Sequence, residues 1–292
     1  MQSPLPHLAL LANAFIWGLA WWPFRTMLDA GLHPLWATAL MYGVISCAML
    51  ALRPGLLGQL RAAPLLWLLA LNAGITNLAF NWAMAIGDVV RVVLLFYLMP
   101  AWSVLLAWRV LGERPSGAAV ARLLLAFAGV ALVLWPRGGA APLATGPGLA
   151  DLLALLGGLT FAATSVLLRR LSQATAPAAR MGAMFGGCAL TTLAAASAGW
   201  AAGVIPAFPA FDTHWALVAA LLACALLLGN WALQFGAARL PAATTSLVLL
   251  SEVLFASASS IALGAASPSW ATFAGGALIM GAALLAALQR GR

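Results

Sequence analysis

Apolar residues do not alternate along this chain, and they do not form short stripes. They come in long runs separated by brief clusters of polar residues, glycine and proline. Ten such runs can be delimited. They extend from Leu8 to Phe24, Pro34 to Leu52, Pro64 to Ile86, Val89 to Trp108 and Gly117 to Trp135, then from Leu149 to Leu168, Met181 to Val204, His214 to Gln234, Leu240 to Leu263 and Trp270 to Leu288. Each is close to the roughly 20 residues a helix needs to cross a ~30 Å hydrocarbon core. Strands of a membrane barrel would be about half as long and would alternate. The pattern therefore predicts an all-α polytopic membrane protein with ten transmembrane helices.

Composition agrees. Of 292 residues, 64% are hydrophobic and 7% are charged, against about a quarter charged in a soluble domain. The mean hydropathy is +1.03. Ten crossings leave no room for a separate soluble domain, so the bilayer itself is the main partner.

The formal charge of +8 does not point to nucleic acid. All the cations are arginines, scattered singly or in pairs, whereas phosphate binding gathers them on one wet face. Their distribution instead sets an orientation. With both termini in the cytoplasm, Arg53, Arg61, Arg109, Arg114, Arg122, Arg169, Arg170, Arg180, Arg239, Arg290 and Arg292 lie inside. Only Arg25, Arg91 and Arg137 lie outside, as the positive-inside rule requires. Asp29, Asp88, Asp151 and Asp212 fall on the outer side. Cys47, Cys188 and Cys224 sit in apolar runs with no CxxC spacing, which argues against a disulfide framework or a zinc site. No cofactor is expected. The N-terminus lacks a cationic signal region, and Ala12-Asn13-Ala14 is read as part of the first crossing.

The chain repeats itself weakly. Asn77 and Asn81 in the third run are matched by Asn230 and Gln234 in the eighth, 153 positions later. Arg114-Pro115-Ser116 is echoed by Ser267-Pro268-Ser269 at the same offset, and Pro136 to Gly148 is a glycine- and proline-rich linker. Five crossings per half is an odd number, so two such halves, 1–140 and 141–292, would be inverted repeats. Many secondary transporters follow this plan and hold substrate near the midplane between the halves.

Trp17-Gly18 in the first run, Pro100 in the fourth, and Leu111-Gly112-Glu113 just after it resemble the first repeat of the drug/metabolite transporter superfamily, EamA type. The second copy departs from this pattern. It reads Leu263-Gly264-Ala265, Glu252 stands about where the second proline would be, and the second run lacks the arginine often found there. Within the superfamily the chain is most similar to YddG-like exporters of aromatic and other neutral amino acids. The resemblance implies a bacterial inner (plasma) membrane exporter with ten helices, working as a monomer.

A polar side chain deep in a membrane helix is costly and faces a cavity or a partner. Asn77, Phe80 and Asn81 share one face of the third run, with Asn72 and Thr76 nearby, and Asn230 and Gln234 form the matching face of the eighth. Their amides offer donors and acceptors suited to a zwitterion, or else they staple helices together. Glu252 is the acid nearest the centre of a run, with no arginine at its depth. Three roles are open to it: proton coupling, a counter-charge to an ammonium, or a hydrogen bond to Ser251 or another helix. Trp17 and Trp21 share a face with Asn13, and Tyr97, Trp82, Trp102 and Trp231 also lie deep. An aromatic wall beside amides suits a flat, weakly charged substrate, although packing alone would also use it. Trp36, Trp67, Trp135, Trp200, Trp215 and Trp270 lie at run ends and read as interfacial anchors. Tyr42, Thr160, Thr164, Thr245 and Ser246 are weaker candidates, since hydroxyls in helices can bond the preceding turn. Gly182 and Gly186 read as a close-packing pair.

An intramembrane protease would need a deep serine and base, yet His7, His33 and His214 all lie at run edges. A channel would need a filter, and a phosphate carrier buried cations. The expected function is therefore export of neutral, preferably aromatic, amino acids by alternating access, from a cavity lined by crossings 1, 3, 4, 6, 8 and 9. A lipophilic-cation exporter, using Trp17 and Glu252, is the alternative.

Overall fold

The structure, a computed structural model, describes residues 4–86, 89–133, 148–264 and 270–288. Among these residues all regular structure is helical. The first half holds α1 (Leu5–Asp29), α2 (Pro34–Leu52), α3 (Leu56–Ala62), α4 (Pro64–Ile86), α5 (Val89–Phe96), α6 (Met99–Leu111) and α7 (Gly117–Val133). The second half holds α8 (Leu149–Leu171), α9 (Pro177–Ala201), α10 (Thr213–Ala237), α11 (Ala242–Leu249), α12 (Glu252–Ala262) and α13 (Trp270–Leu288). Seven stretches are long and apolar enough to cross a bilayer: α1, α2, α4, α8, α9, α10 and the joined α11–α12. Helix α6, Gly117–Leu132 and Phe273–Ala282 are shorter apolar helices. The linker from Pro136, apart from Gly148, lies outside the described residues, as do the boundary at 140, Trp135, Arg137, Asp88, Ala265, Ser267-Pro268-Ser269, Arg290 and Arg292.

Large apolar side chains cover the exterior. Leu190, Leu221, Leu228, Phe273 and Leu284 stand exposed in mid-helix or near it. A soluble protein does not expose such a coat, so hydrocarbon is the solvent it fits.

Helix ends are built from polar residues the sequence places there. His33 Nδ1 accepts from Leu35 N–H (3.3 Å) at the start of α2, and Asp212 accepts from His214 N–H (2.9 Å) at the start of α10. Asp151 in the first turn of α8 accepts from Gly148 N–H (2.7 Å). Such caps take up N–H groups that a helix start leaves unbonded. Gly112 and Gly264 follow the C-terminal ends of α6 and α12 with φ of 71° and 70°. The repeated Leu-Gly pair thus ends both helices in the left-handed conformation that glycine adopts without strain.

The fourth and ninth runs are each broken in the middle. Turns at Tyr97–Leu98 separate α5 from α6, and turns at Leu250–Ser251 separate α11 from α12. The two breaks are 153 positions apart, the same spacing as the amide pairs. Pro100 explains the first, because it cannot donate to the Phe96 carbonyl. The second contains no proline. There the backbone tightens to i−3 bonds, Ser251 N–H to Val248 and Leu254 N–H to Ser251, while the Ser251 hydroxyl also donates to the Val248 carbonyl (2.7 Å).

The halves pack mainly on each other. Helix α4 packs on α8 and α9, α1 on α10 and α12, α2 on α9, and α7 on α13. Both broken helices lie close against a glycine of the opposite half. A Cβ on Gly18 would stand 2.9 Å from the Glu252 carbonyl oxygen, and one on Gly158 would stand 2.6 Å from that of Phe96.

Three expectations change. Trp36 and Trp215 are buried rather than interfacial: their indole N–H groups donate to the carbonyls of Pro206 (2.9 Å) and Ala210 (3.3 Å), and both rings pack on Phe208. The connection after α9 folds over them. Close packing on α9 is at Gly187, whose α-carbon abuts the Ala70 backbone, rather than at Gly182 or Gly186, which have open or ordinary surroundings. Arg180 is in the first turn of α9 and folds inward, 3% exposed.

Candidate functional site

One cavity lies where the halves meet. Its walls are Asn13 and Trp17 of α1, Tyr42 of α2, Ala73, Thr76, Asn77, Phe80 and Asn81 of α4, and Phe96 and Met99 at the first break. The rest come from Phe161 and Thr164 of α8, Met184, Phe185 and Cys188 of α9, Asn230 and Leu233 of α10, and Leu249 and Glu252 at the second break. The cavity measures about 80 Å³ in this structure, smaller than the several hundred Å³ of a typical occupied ligand pocket. None of the lining residues carries a positive charge, and Glu252 is the only acid among them.

The lining repeats at the 153-residue spacing. Asn77 pairs with Asn230, Phe80 with Leu233, Phe96 with Leu249, and Met99 with Glu252. Hydrogen bonds behind the walls repeat as well. Asn13 Nδ2 donates to the Gly229 carbonyl (2.8 Å), joining α1 to α10, and the Thr76 and Thr160 hydroxyls meet at 2.8 Å, joining α4 to α8; Thr76 and Gly229 are 153 positions apart. Asn81 Nδ2 donates to Thr38 Oγ1 (3.1 Å), and Arg180 Nε donates to Gln234 Oε1 (3.3 Å); Asn81 and Gln234 keep the same spacing. The two breaks also meet, because the Tyr97 side chain interacts with the Glu252 carboxyl group.

The amides therefore serve both purposes that the sequence left open. Asn77 Nδ2 donates to the Ala73 carbonyl (3.1 Å) and to Cys188 Sγ (3.2 Å), and Asn230 Oδ1 accepts from Gln234 Nε2 (3.1 Å). Asn13, Asn77, Asn81 and Asn230 all contribute to the cavity wall while they bond neighbouring groups. Thr164 differs: it is 2% exposed, lines the cavity, and its hydroxyl has no hydrogen-bond partner. It does not make the bond to the preceding turn that Thr160 makes to Leu156 (2.8 Å).

Of the residues singled out from sequence, Asn13, Trp17, Asn77, Phe80, Asn81, Asn230 and Glu252 come together around the cavity. The other four stand behind it. Trp21 Nε1 donates to Ser259 Oγ (2.9 Å), holding α1 to α12. Gln234 is engaged by Arg180. Tyr97 reaches the site through Glu252. Trp102 Nε1 is buried without a partner. Beyond the crossings anticipated, α2 and α9 also contribute, through Tyr42, Met184, Phe185 and Cys188. Tyr42 and Phe185 are stacked with centroids 5.2 Å apart. The 153-residue offset was the signal that would have found Leu233 from Phe80 and Met99 from Glu252; Phe96 and Leu249 are counterparts of each other and had no such signal.

The arrangement presents amides and one carboxylate among aromatic rings, in a space reached by both halves. It holds a donor-rich wall and one carboxyl group with no fixed cation, and two broken helices frame it. The model of the EamA-like transporter family matches residues 5–135. A comparison with curated proteins found no match. Among solved structures, one described only as the crystal structure of a protein is similar to this chain with a TM-score of 0.73 and 20% identity, covering 96% of each chain. That likeness concerns the fold.

Proposed function

We propose that this chain, whose first half matches the EamA-like transporters, is a ten-crossing exporter of neutral amino acids that works by alternating access and prefers aromatic side chains. Its two five-crossing units, 1–140 and 141–292, are read as inverted repeats. The repeated spacing of breaks, cavity residues and hydrogen bonds supports that reading. The location is the inner membrane of a bacterium, with both termini cytoplasmic and a monomer as the working unit.

One observation carries the substrate class: the cavity joins four asparagines and Glu252 to Trp17, Phe80, Phe96 and Phe161, and it contains no cation. An α-ammonium would sit at Glu252, while asparagine N–H groups would receive the carboxylate. The rings would take the side chain. A cation-free wall disfavours phosphorylated or other dianionic cargo, which calls for buried arginine or lysine. The second reading, export of lipophilic cations, is favoured by the shared presence of Trp17 and Glu252 in the lining.

The test is a substrate panel in proteoliposomes holding purified protein. Labelled tryptophan, phenylalanine and methionine are expected to exchange, and Asn77→Ala, Asn81→Ala and Trp17→Ala to impair it. Normal exchange by all three variants would remove the site. Transport of quaternary amines with no transport of amino acids would replace the first reading with the second.

A further inference from the structure

Among the described residues, five side-chain atoms are buried without a hydrogen-bond partner, and three of them, Trp102 Nε1, Thr164 Oγ1 and Thr245 Oγ1, lie on α6, α8 and α11. These helices all pack on one another. From the cavity outward they show the same succession of layers. Met99, Thr164 and Leu249 form cavity wall. Next come Trp102 with Ser103 on α6 and Thr245 with Ser246 on α11, where the Ser103 and Ser246 hydroxyls meet at 2.6 Å. Beyond them Ala107, Val166 and Ala242 form a small buried apolar cluster. At the surface, Arg169 Nε lies 3.7 Å from Glu113 Oε1, and Arg169 Nη1 donates to the Ala238 carbonyl (3.1 Å). From Met99 to Leu111 the path is about 18 Å at 1.5 Å per residue, enough to join the cavity to that face.

Ordinary packing does not explain three unbonded polar atoms in one seam, since each is costly to bury unpaired and a helical threonine has its own turn's carbonyl available. Water or a polar solute entering the seam would give all three of them partners. We infer that the seam between α6, α8 and α11 is the route by which the substrate passes between the cavity and the face bearing Glu113, Arg169 and Arg239, and that it is shut in this structure. The Ser103–Ser246 bond, the Ala107–Val166–Ala242 cluster and the Glu113–Arg169 pair are its closures. Trp102, Thr164 and Thr245 are the polar groups a passing zwitterion meets. Helices α6 and α11 are the halves of the broken crossings on this side, so bending at Tyr97–Leu98 and Leu250–Ser251 separates them without moving α5 or α12. This inference rests on the transport reading, but part of its test does not.

Ser103→Cys with Ser246→Cys places two thiols within disulfide range. Oxidation is expected to slow labelled tryptophan counterflow at least tenfold in proteoliposomes, with recovery on reduction and no oxidant response in either single variant. Unchanged counterflow in protein shown by mass spectrometry to be cross-linked would overturn the route. A second arm needs no substrate and no pair. Thr245→Cys in otherwise unaltered protein is exposed to a membrane-impermeant maleimide, and peptide mass spectrometry separates it from the native cysteines. Labelling from the face bearing Arg169 is expected. Failure to label from that face, or labelling from the opposite face alone, refutes the inference. If the parent carries no tryptophan, the substrate assignment fails and this arm still decides the route.

Discussion

The Tyr97 side chain and the Glu252 carboxyl group interact directly, and each residue stands at one of two helix breaks 153 positions apart. This contact ties the fourth apolar run to the ninth at the point where neither is continuous. Glu252 also faces the cavity, so anything that occupies the carboxylate acts on the contact between the breaks.

Replacing Glu252 with Gln keeps an acceptor for Tyr97 but removes the charge and the proton. A hydrogen bond to a charged group contributes about 1.5–3 kcal/mol, so Glu252→Gln is expected to raise KM for an amino acid about tenfold to a hundredfold. It should also abolish any acceleration by an imposed pH gradient. Tyr97→Phe should cost less, and the two losses should be less than additive in the double variant, because the residues are in contact. Uptake into proteoliposomes with and without a gradient measures all three. Equal gradient response in Glu252→Gln and parent removes Glu252 from coupling.

Thr164 gives a prediction in which stability and function move in opposite directions. Its hydroxyl is buried and unbonded, so Thr164→Val removes an unpaired polar group at nearly constant volume. Stability in detergent should rise by about 1 kcal/mol, while substrate affinity falls. Thr160→Val is the contrast, since it loses the 2.8 Å bond to Thr76 and should lower stability. A fall in stability with Thr164→Val, or unchanged transport, would show that this hydroxyl does not serve the substrate.

The extent of the helices was legible where proline and polar clusters delimit the runs: α2 has both bounds read from sequence, and α4 begins at the Pro64 read from sequence. The break at Tyr97–Leu98 had Pro100 as a marker. The one at Leu250–Ser251 had none, since an apolar run shows no change where its backbone tightens. Spacing picked out Asn77, Asn81 and Asn230, which line the cavity, and Gln234, which does not. It did not reveal that Gln234 turns to Arg180, which depends on an arginine folding in from α9. Met184, Phe185 and Cys188 escaped notice because an apolar residue in an apolar helix reads the same whether it faces lipid or cavity. Trp36 and Trp215 looked like anchors because burial beneath the connection after α9 is a long-range event.

Glycine contacts at the breaks predict a graded series. Gly158→Ala places a Cβ 2.6 Å from the Phe96 carbonyl oxygen, and Gly18→Ala places one 2.9 Å from that of Glu252. Backbone must give way in both, a strain of about 1–3 kcal/mol. Both variants are expected to lower the thermal midpoint and to slow transport, since the strained partner is a break. Gly186→Ala meets open space and, by its better helix propensity, should be neutral or slightly stabilising. Thermal unfolding in detergent ranks the three. Equal behaviour of Gly158→Ala and Gly186→Ala would mean that the close approach is absent in solution.

Arg180 bonds the second-half amide Gln234, as Thr38 bonds its first-half counterpart Asn81. Asn81 meets Thr38, while Gln234 meets Arg180, whose guanidinium also donates through Nη1 to the carbonyls of Leu171 (3.3 Å) and Thr175 beyond the end of α8. A cation at a helix C-terminus is favourable, and unbonded carbonyls there need donors. Arg180→Met keeps the apolar stem but leaves several buried acceptors and Gln234 Oε1 unsatisfied. The expected loss is about 2–4 kcal/mol, because each abandoned acceptor adds its own cost. Arg180→Lys should recover only part of it, since an ammonium does not span the same set of acceptors. Thr38→Val removes one bond and should cost about 1 kcal/mol. Unfolding of the four proteins in one detergent compares them directly, and a loss for Arg180→Met no larger than that for Thr38→Val would show that the arginine's bonds to the end of α8 contribute little.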